Sequence, residues 1–380
     1  TANFTPYKQP IEEDSNTTVL CCNSSTNALN DDKSNSFAQT TSDGVKPTPD
    51  MPFSRSDAGV VFDGDIKMNS QGVMYFPTGD TSQRGRGRGL IMGGSTPAES
   101  KTIHYIQIQS TGNGIDFGDL TKTTNGSGGC CSSSTRGLHG GGYTTPTNSN
   151  IIDYVTIATT ANALDFGDLT VARRGIAGCG NNTRGLFGGG RSDPSGSNPT
   201  DEIDYVTIAT LGNATDFGNL SVARRYLAST ASSTRGLWAG GDTPNDSDVI
   251  DYVTIASTGN ATDFGNLTQA RDQPEGCASK TRALWGNGSS SPTLYNIIDY
   301  ITMASTGNAT DFGDTNAKVA DSQSTSNSLR GIWAGGLNPS LVNTIDYVTI
   351  STLGNASDFG DLPTVQGEGG GCSDSHGGLE

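Results

Sequence analysis

The sequence predicts an all-β protein built from six copies of one four-stranded unit. A unit recurs about every 50 residues, the spacing inside it does not vary, and glycine is abundant. Glycine accounts for 52 of 380 residues, while hydrophobic residues make up only 32%. That composition fits many short strands joined by tight turns. Four strands repeated at this period are typical of the blades of a β-propeller.

The most constant stretch of the unit is residues 203–220, IDYVTIATLGNATDFGNL, which recurs five more times. Its tyrosine and phenylalanine are twelve residues apart in every copy, so no insertion interrupts it. The six pairs are Tyr105–Phe117, Tyr154–Phe166, Tyr205–Phe217, Tyr252–Phe264, Tyr300–Phe312 and Tyr347–Phe359. We expect this stretch to form the third and fourth strands and a fixed turn between them.

A second signature predicts the second strand of each unit. It reads Arg-Gly-Leu, then a large residue, then a glycine pair, and its copies start at Arg88, Arg136, Arg184, Arg235, Arg282 and Arg330. The large residues are Ile91, His139, Phe187, Trp238, Trp285 and Trp333. Large and small residues that alternate before a glycine suit a strand buried between stacked sheets.

A third signature, VARR, precedes the second and predicts the first strand. It is clearest at residues 171–177 and 222–228, with eroded copies near Gln269 and Lys318. The predicted order is therefore the Ala-Arg strand, the Arg-Gly-Leu strand, the Ile-Asp-Tyr strand and the Asp-Phe-Gly strand.

The C-terminal segment is predicted to close the ring. The last three strands of the unit occur six times, but no first strand precedes Arg88. His376 lies 17 residues after Phe359, close to the 18 or 19 that separate phenylalanine from arginine elsewhere. We therefore expect the tail to pair with the strand at Arg88 and complete a six-bladed propeller without free edges. The alternative is that residues 59–82 supply that strand.

The repeats resemble the kelch family in three features. A glycine pair ends the second strand (Gly240-Gly241), a tyrosine lies in the third, and an aromatic residue lies in the fourth, where phenylalanine replaces the usual tryptophan. The sequence segments TGNATDFGNL, VARR and TRGLWAGG are similar to kelch-like repeats of marine (cyanophage-type) bacteriophage tail-fibre and virion-appendage proteins. The resemblance covers residues 83–380. It implies a virion structural protein with a role in host attachment.

Two segments precede the repeats. Residues 1–55 are polar and show no apolar period, which predicts an extended N-terminal arm that binds other virion proteins. The alternative is a disordered tail or linker. Residues 56–82 are predicted to be a short β-meander connector with strands at 60–62, 66–68 and 73–76, and residues 83–380 the propeller.

Candidate binding residues lie in the loops between the second and third strands, where the repeat drifts. These loops are residues 141–150, 191–201, 241–249, 288–297 and 336–344. Variable loops on a rigid scaffold commonly carry binding residues. The candidates are Tyr143, Arg191, Asp193, Asp246 and Tyr295, and neutral surface loops are the alternative.

Two repeated positions raise the question of a metal. Asp116, Asp119, Asp165 and Asp168 flank Phe-Gly, but asparagine replaces the second aspartate in two copies, which favours a turn role over a cation site. Cys131, Cys179, Cys277 and Cys372 share one position in the innermost strand. Threonine replaces cysteine in two copies, so we expect small-residue packing near the central channel rather than a zinc site. No metal or other cofactor is predicted.

Charge and histidine content exclude several functional classes. A net charge of −16 argues against nucleic-acid binding, and no apolar run is long enough to span a membrane. Three scattered histidines form no catalytic cluster, so the chain is predicted not to be an enzyme.

The leading hypothesis is a virion protein that binds host surface polysaccharide or a receptor, and a homo-oligomer is compatible with it. The alternatives are a glycan-processing enzyme and a cytosolic kelch-type adaptor.

Overall fold

The computed structural model describes residues 67–68, 74–75, 87–96, 98–193 and 198–379, and the chain divides into two compact units, Thr1–Gly85 and Arg86–Glu380. In the first unit, Lys67–Met68 and Met74–Tyr75 form an antiparallel pair. These strands fall within two of the three segments predicted for the meander. The predicted arm at 1–55 and the predicted strand at 60–62 lie outside the described residues.

The second unit is a six-bladed β-propeller, which confirms the predicted fold class. Each blade is a four-stranded antiparallel sheet, and the first strands of all six surround a central channel. For blades 1 to 6 in turn, the first strands are Gly370–Ser373, Gly129–Ser132, Ala177–Gly180, Ala228–Ala231, Glu275–Ala278 and Gln323–Ser326. The second strands are Arg88–Ser95, Arg136–Gly140, Arg184–Gly188, Arg235–Ala239, Arg282–Gly286 and Arg330–Ala334.

The outer half of each blade follows the Ile-Asp-Tyr and Asp-Phe-Gly motifs. The third strands are Glu99–Gln107, Ile151–Thr156, Glu202–Thr207, Val249–Thr254, Ile297–Thr302 and Thr344–Thr349. The fourth strands are Ile115–Thr124, Leu164–Asp168, Thr215–Asn219, Thr262–Asn266, Thr310–Asp314 and Ser357–Asp361. Small hairpins are added in blade 2 by Tyr143–Thr144 with Thr147–Asn148 and in blade 5 by Ser289–Ser290 with Thr293–Leu294.

The prediction that the Ala-Arg motif forms the first strand is wrong. The motif lies in the loop from the fourth strand of one blade to the first strand of the next, and the strand begins only at its last residue, Ala177. Arg173 explains the difference, because its side chain is fully buried and reaches Asp204 at 2.6 Å. Its guanidinium also donates to the carbonyls of Gly189 and Glu202. A loop conformation brings these partners within reach.

The same buried ion pair recurs in the next two blades and links two of the sequence signatures. Arg224 bonds Asp251 at 2.6 Å and Arg271 bonds Asp299 at 2.8 Å, with all four side chains shielded from solvent. Each aspartate belongs to an Ile-Asp-Tyr motif. The constancy of the motif in blades 3 to 5 therefore follows from a charge that must be paired once it is buried.

The C-terminal tail closes the ring as predicted. Gly370–Ser373 pairs antiparallel with the second strand of blade 1, with Gly89 opposite Ser373 and Met92 opposite Gly370. The alternative, in which residues 59–82 supply this strand, is therefore wrong. The chain then makes one turn of 3-10 helix at Gly377–Leu379, and all three of its residues are buried.

Each blade is clasped to the next by the arginine of its Arg-Gly-Leu motif. The guanidinium lies 4.4–5.0 Å from the centre of the tyrosine ring of its own blade. It donates to a carbonyl at the end of the third strand of the next blade, at 2.5–3.0 Å. The last of these bonds, from Arg330 to Ile108, joins blade 6 to blade 1.

A second clasp covers the outer edge of each blade with the Gly-Asn turn of the next. The N–H of Gly212 donates to Phe166 and that of Ala214 to Asp168, while Asn213 Oδ1 accepts from the Asp168 N–H at 3.1 Å. The asparagine bond occurs at all six junctions. Because this turn must meet a neighbouring strand, its distance from the tyrosine cannot change. The twelve-residue spacing of the sequence is explained by this contact.

In every blade the tyrosine and phenylalanine rings pack edge to face, with centres 5.7–6.2 Å apart.

Packing between blades depends on close approach at small residues. The buried Cys131 lies against Gly185 of the next blade, where a Cβ atom would come within 2.4 Å of its sulfur. Cys179, Cys277 and Cys372 face the equivalent glycines. The cysteines therefore pack as small side chains between blades.

Breaking one buried ion pair should destabilise the propeller strongly. We expect Arg224→Gln to lower the free energy of unfolding by about 3–5 kcal/mol, because Asp251 would keep a buried charge without its partner. The adjacent control, Arg225→Gln, removes a less buried pair with Asp242 and should cost about 1 kcal/mol. Urea unfolding followed by tryptophan fluorescence measures both. Equal losses would contradict the role given to Arg224.

Removal of the closing strand should abolish cooperative folding. Without residues 370–380, the second strand of blade 1 has an unpaired inner edge, and open edges favour aggregation. We expect this deletion to lack a single thermal transition in circular dichroism. The control deletion of residues 377–380 keeps the strand and should retain one. A full-length midpoint in the longer deletion would show that another segment closes the ring.

Candidate functional site

The two ends of the propeller differ in how constant their loops are. Strand direction alternates, so loops between first and second strands and between third and fourth strands share one end, which contains both clasps. We call this end the clasp face. Loops between second and third strands, and those from a fourth strand to the next first strand, share the other end, which we call the variable face. All five candidate residues lie on the variable face.

The variable face presents six equivalent backbone pairs, one at each blade junction. In each pair a residue of the fourth-to-first loop pairs antiparallel with a residue of the following blade's second-to-third loop, or, in blade 1, with the end of its second strand. The pairs are Asn125–Tyr143, Arg174–Arg191, Arg225–Asp242, Asp272–Ser289, Ala320–Leu337 and Gly367–Ser95. The backbone arrangement is thus the same at all six junctions, while the side chains at these positions are unrelated. We call these the paired positions.

A second set of equivalent residues surrounds the channel mouth in the left-handed backbone region. They are Ser127, Gly175, Tyr226, Gln273, Asp321 and Glu368, with φ between 52° and 64°. Backbone bonds link successive copies, for example Gln273 N–H to Tyr226 C=O at 2.8 Å and Glu368 N–H to Asp321 C=O at 2.9 Å. Five non-glycine residues hold a conformation that costs about 1–3 kcal/mol each, and such strain concentrates at functional sites.

Blades 2 to 4 give the variable face a basic sector. The Arg174 guanidinium lies 4.1 Å from the centre of the Tyr143 ring. Arg191 and Arg225 lie 5.8 Å and 5.4 Å from the Tyr226 ring. Burial lowers the pKa of Arg191, and the charges of Arg174 and Arg225 lower it further, against the opposite effect of Tyr226 and Asp193. Three guanidiniums are therefore gathered on one side of the channel mouth.

Blades 5, 6 and 1 form an acidic sector across the channel mouth. Burial raises the pKa of Asp321 to about 8, helped by the charges of Glu368 and Asp272, and Gln273 Nε2 donates to both Asp321 oxygens at 2.7 Å. Burial also raises the pKa of Glu275 to about 8, although Ser324 Oγ donates to its carboxyl at 3.1 Å. These carboxyl groups hold their protons near neutral pH.

The channel itself is narrow and blocked by the tail at the clasp face. Its cavity volume is about 70 Å³, and all six first strands line it. A Cβ atom on Gly377 or Gly378 would strike carbonyl oxygens of Ser279 and Gly180, so the last turn fills this end. His376 lies at the same end, 3.2 Å from the Ser132 carbonyl, and burial lowers its pKa to about 4.

The structure brings some of the five candidate residues together and separates others. Tyr143 and Arg191 both contact Arg174, one through its ring and the other through its backbone. Asp246 pairs with Asp242 in blade 4, and Tyr295 donates its N–H to Gly288 in blade 5. Sequence reasoning missed the fourth-to-first loops, which supply Arg174, Arg225, Tyr226, Asp272, Gln273, Asp321 and Glu368. The signal that could have identified these loops is the residue that follows the constant arginine of the Ala-Arg motif. That following residue changes from arginine to aspartate between copies.

The repeated aspartates serve the outer clasp. The Asp119 and Asp168 N–H groups bond the asparagine of the next blade, and Asp165 Oδ1 accepts from Gly167 N–H at 3.2 Å. Because the second position acts through its backbone, asparagine replaces aspartate there without loss. In the described part of the chain, no three His, Cys, Asp or Glu residues are grouped to hold a metal ion.

Comparison with protein-family models finds no family that matches the chain, and a search of curated proteins finds no match. Among the described residues, no helix has the length and apolar character needed to cross a membrane.

The acidic sector should make the propeller less stable as the pH rises from 6.5 to 8. Glu275 and Asp321 have raised pKa values near 8, so the folded state keeps protons that the unfolded state releases from about pH 4 upward. Their contribution to stability is therefore lost progressively from about pH 4 to pH 8, and the interval from pH 6.5 to 8 is the part in which the buried histidines do not act. Buried His139 and His376, with pKa values lowered to about 4, act only below pH 6.5.

We expect Glu275→Gln to flatten this decline, so that the stability of the variant relative to the native chain is greater at pH 8 than at pH 6. The exposed carboxylate variant Asp216→Asn is the control and should keep the native slope. Thermal unfolding midpoints at half-unit pH steps measure the effect. A slope that Glu275→Gln leaves unchanged would show that Glu275 does not titrate in this range.

Proposed function

We propose that the propeller is a non-enzymatic binding module whose ligand contacts the variable face. The observation that carries this proposal is the set of paired positions, where a backbone fixed by hydrogen bonds presents unrelated side chains. On the clasp face, by contrast, the same arginine and asparagine recur at every junction because assembly needs them. Side chains that assembly does not constrain, placed on a rigid scaffold, suit recognition.

We further propose that the chain belongs to a bacteriophage particle, as a tail fibre, an appendage or a surface decoration. The support is the similarity of its repeats to those of marine phage structural proteins. In this proposal residues 1–55 join the chain to other virion proteins, and the propeller binds host surface polysaccharide or a receptor. Mass spectrometry of purified particles should detect the chain as a structural component. Its absence from particles, with abundance in infected cells, would favour the adaptor alternative.

Binding by the variable face can be separated from binding elsewhere with two matched variants. One replaces Tyr143, Asp246 and Tyr295 with alanine. The other replaces Thr135 and Lys280, which are exposed on the clasp face. The first set is half-buried and the second exposed, and both lie outside the clasps, so a single thermal transition in each variant is required before binding is compared.

We expect the variable-face variant to lose at least about tenfold in affinity for host cells and for an array of bacterial surface polysaccharides, and the control to bind as the native chain does. Loss in the control alone would place the ligand on the clasp face. Release of oligosaccharide from a bound polymer would contradict the non-enzymatic part of the proposal.

A further inference from the structure

Blade 3 places two arginines directly opposite each other at its paired position. Arg174 N–H donates to the Arg191 carbonyl at 3.1 Å, and Arg191 N–H donates to the Arg174 carbonyl at 2.9 Å. Residues that exchange both bonds in an antiparallel pair project their side chains to the same side. Two positive side chains are thus held next to each other by the backbone. Like charges directly opposite in a sheet are destabilising.

The next blade provides an internal comparison. At its paired position Arg225 faces Asp242 and donates two hydrogen bonds, at 2.9 Å and 2.6 Å, to Asp242 Oδ2. The four other paired positions contain no basic residue. The like-charge pair of blade 3 therefore departs from the arrangement that electrostatics favours at an equivalent backbone position. A departure of this kind points to a ligand.

The tyrosine rings around these two arginines favour binding of an anion by their guanidinium groups. The Tyr143 ring supports the Arg174 guanidinium, and Tyr226 lies beside Arg191. Such contacts restrict the orientation of a planar guanidinium, which then binds a carboxylate or sulfate through two parallel hydrogen bonds. The neighbouring acids include Asp242, which is bound to Arg225 and pairs through its backbone with Asp246, and Asp193, whose charge acts on Arg191. Three arginines are gathered here in a chain whose net charge is −16.

We propose that Arg174 and Arg191 bind a carboxylate or sulfate group of an anionic polysaccharide. This role rests on the proposed binding function of the variable face and specifies the chemical class of its ligand. The site lies in blades 2 to 4, on one side of the channel mouth.

The test exchanges the pattern of blade 3 for that of blade 4. Arg191→Asp creates an Arg–Asp pair, so its thermal midpoint should be equal to or above the native value. Lys280→Asp makes the same change of charge on the clasp face and is the control. Full-length proteins are titrated by calorimetry with polygalacturonate, dextran sulfate, neutral dextran and inorganic polyphosphate. If Arg191→Asp does not fold, Arg191→Gln replaces it.

We expect the native chain and Lys280→Asp to bind polygalacturonate, dextran sulfate or both, and Arg191→Asp to bind at least about tenfold more weakly. Binding of only one of the two polymers identifies the carboxylate or the sulfate as the group recognised. Equal affinity of Arg191→Asp and the native chain, or no binding of either polymer, would overturn the proposal. So would equally tight binding of polyphosphate, because that indicates attraction of any polyanion.

The same titrations separate this proposal from the more general one. Dextran bound equally by the native chain and by Arg191→Asp, but lost in the Tyr143, Asp246 and Tyr295 variant, would leave the binding function standing without an anionic ligand. Absence of binding to every polysaccharide and to host cells would remove both.

Discussion

The fold depends on hydrogen bonds that join each blade to the next. A four-stranded blade has an exposed outer edge and too little apolar surface to be stable alone. The Gly-Asn turn of the following blade covers that edge, and the Arg-Gly-Leu arginine adds a bond from the second strand of its own blade to the end of the third strand of the next. Both contacts run in one direction around the ring. They are complete only when blade 6 meets blade 1, which happens through Arg330 to Ile108 and through Asn113 to Asp361.

Because assembly uses the clasp face, the variable face is left free for other roles. The clasps need arginine, glycine and asparagine at set distances, so those residues recur in nearly every copy. At the paired positions only backbone atoms contribute to assembly, and the side chains range from glycine to arginine. The same holds around the channel mouth, where five non-glycine residues keep a strained backbone. Constancy in this chain marks structure, and variation marks the candidate site.

Much of the fold could be predicted from the sequence because the residues that form the clasps recur at fixed intervals. The third and fourth strands, the six blades and the closing tail all follow from fixed intervals between Arg, Tyr and Phe. The repeated cysteine was assigned to the first strand correctly, but the strand itself was misplaced onto the conspicuous VARR motif, which belongs to a loop whose Arg173 is buried against Asp204. Of the site, Tyr143 and Arg191 were found because their loops vary. Tyr226 and Arg174 lie beside a constant motif and were therefore hidden by it.

Because the blades are equivalent, the same position can be compared between blades of one chain. The paired positions of blades 3 and 4 share a backbone, a preceding arginine and a neighbouring tyrosine, yet one contains Arg–Arg and the other Arg–Asp. The Arg–Asp pair is the arrangement that electrostatics favours in a sheet. A copy that departs from it carries an electrostatic cost, and natural proteins accept such costs mainly at sites of function. The same comparison applied around the ring distinguishes residues kept for assembly from residues kept for a ligand.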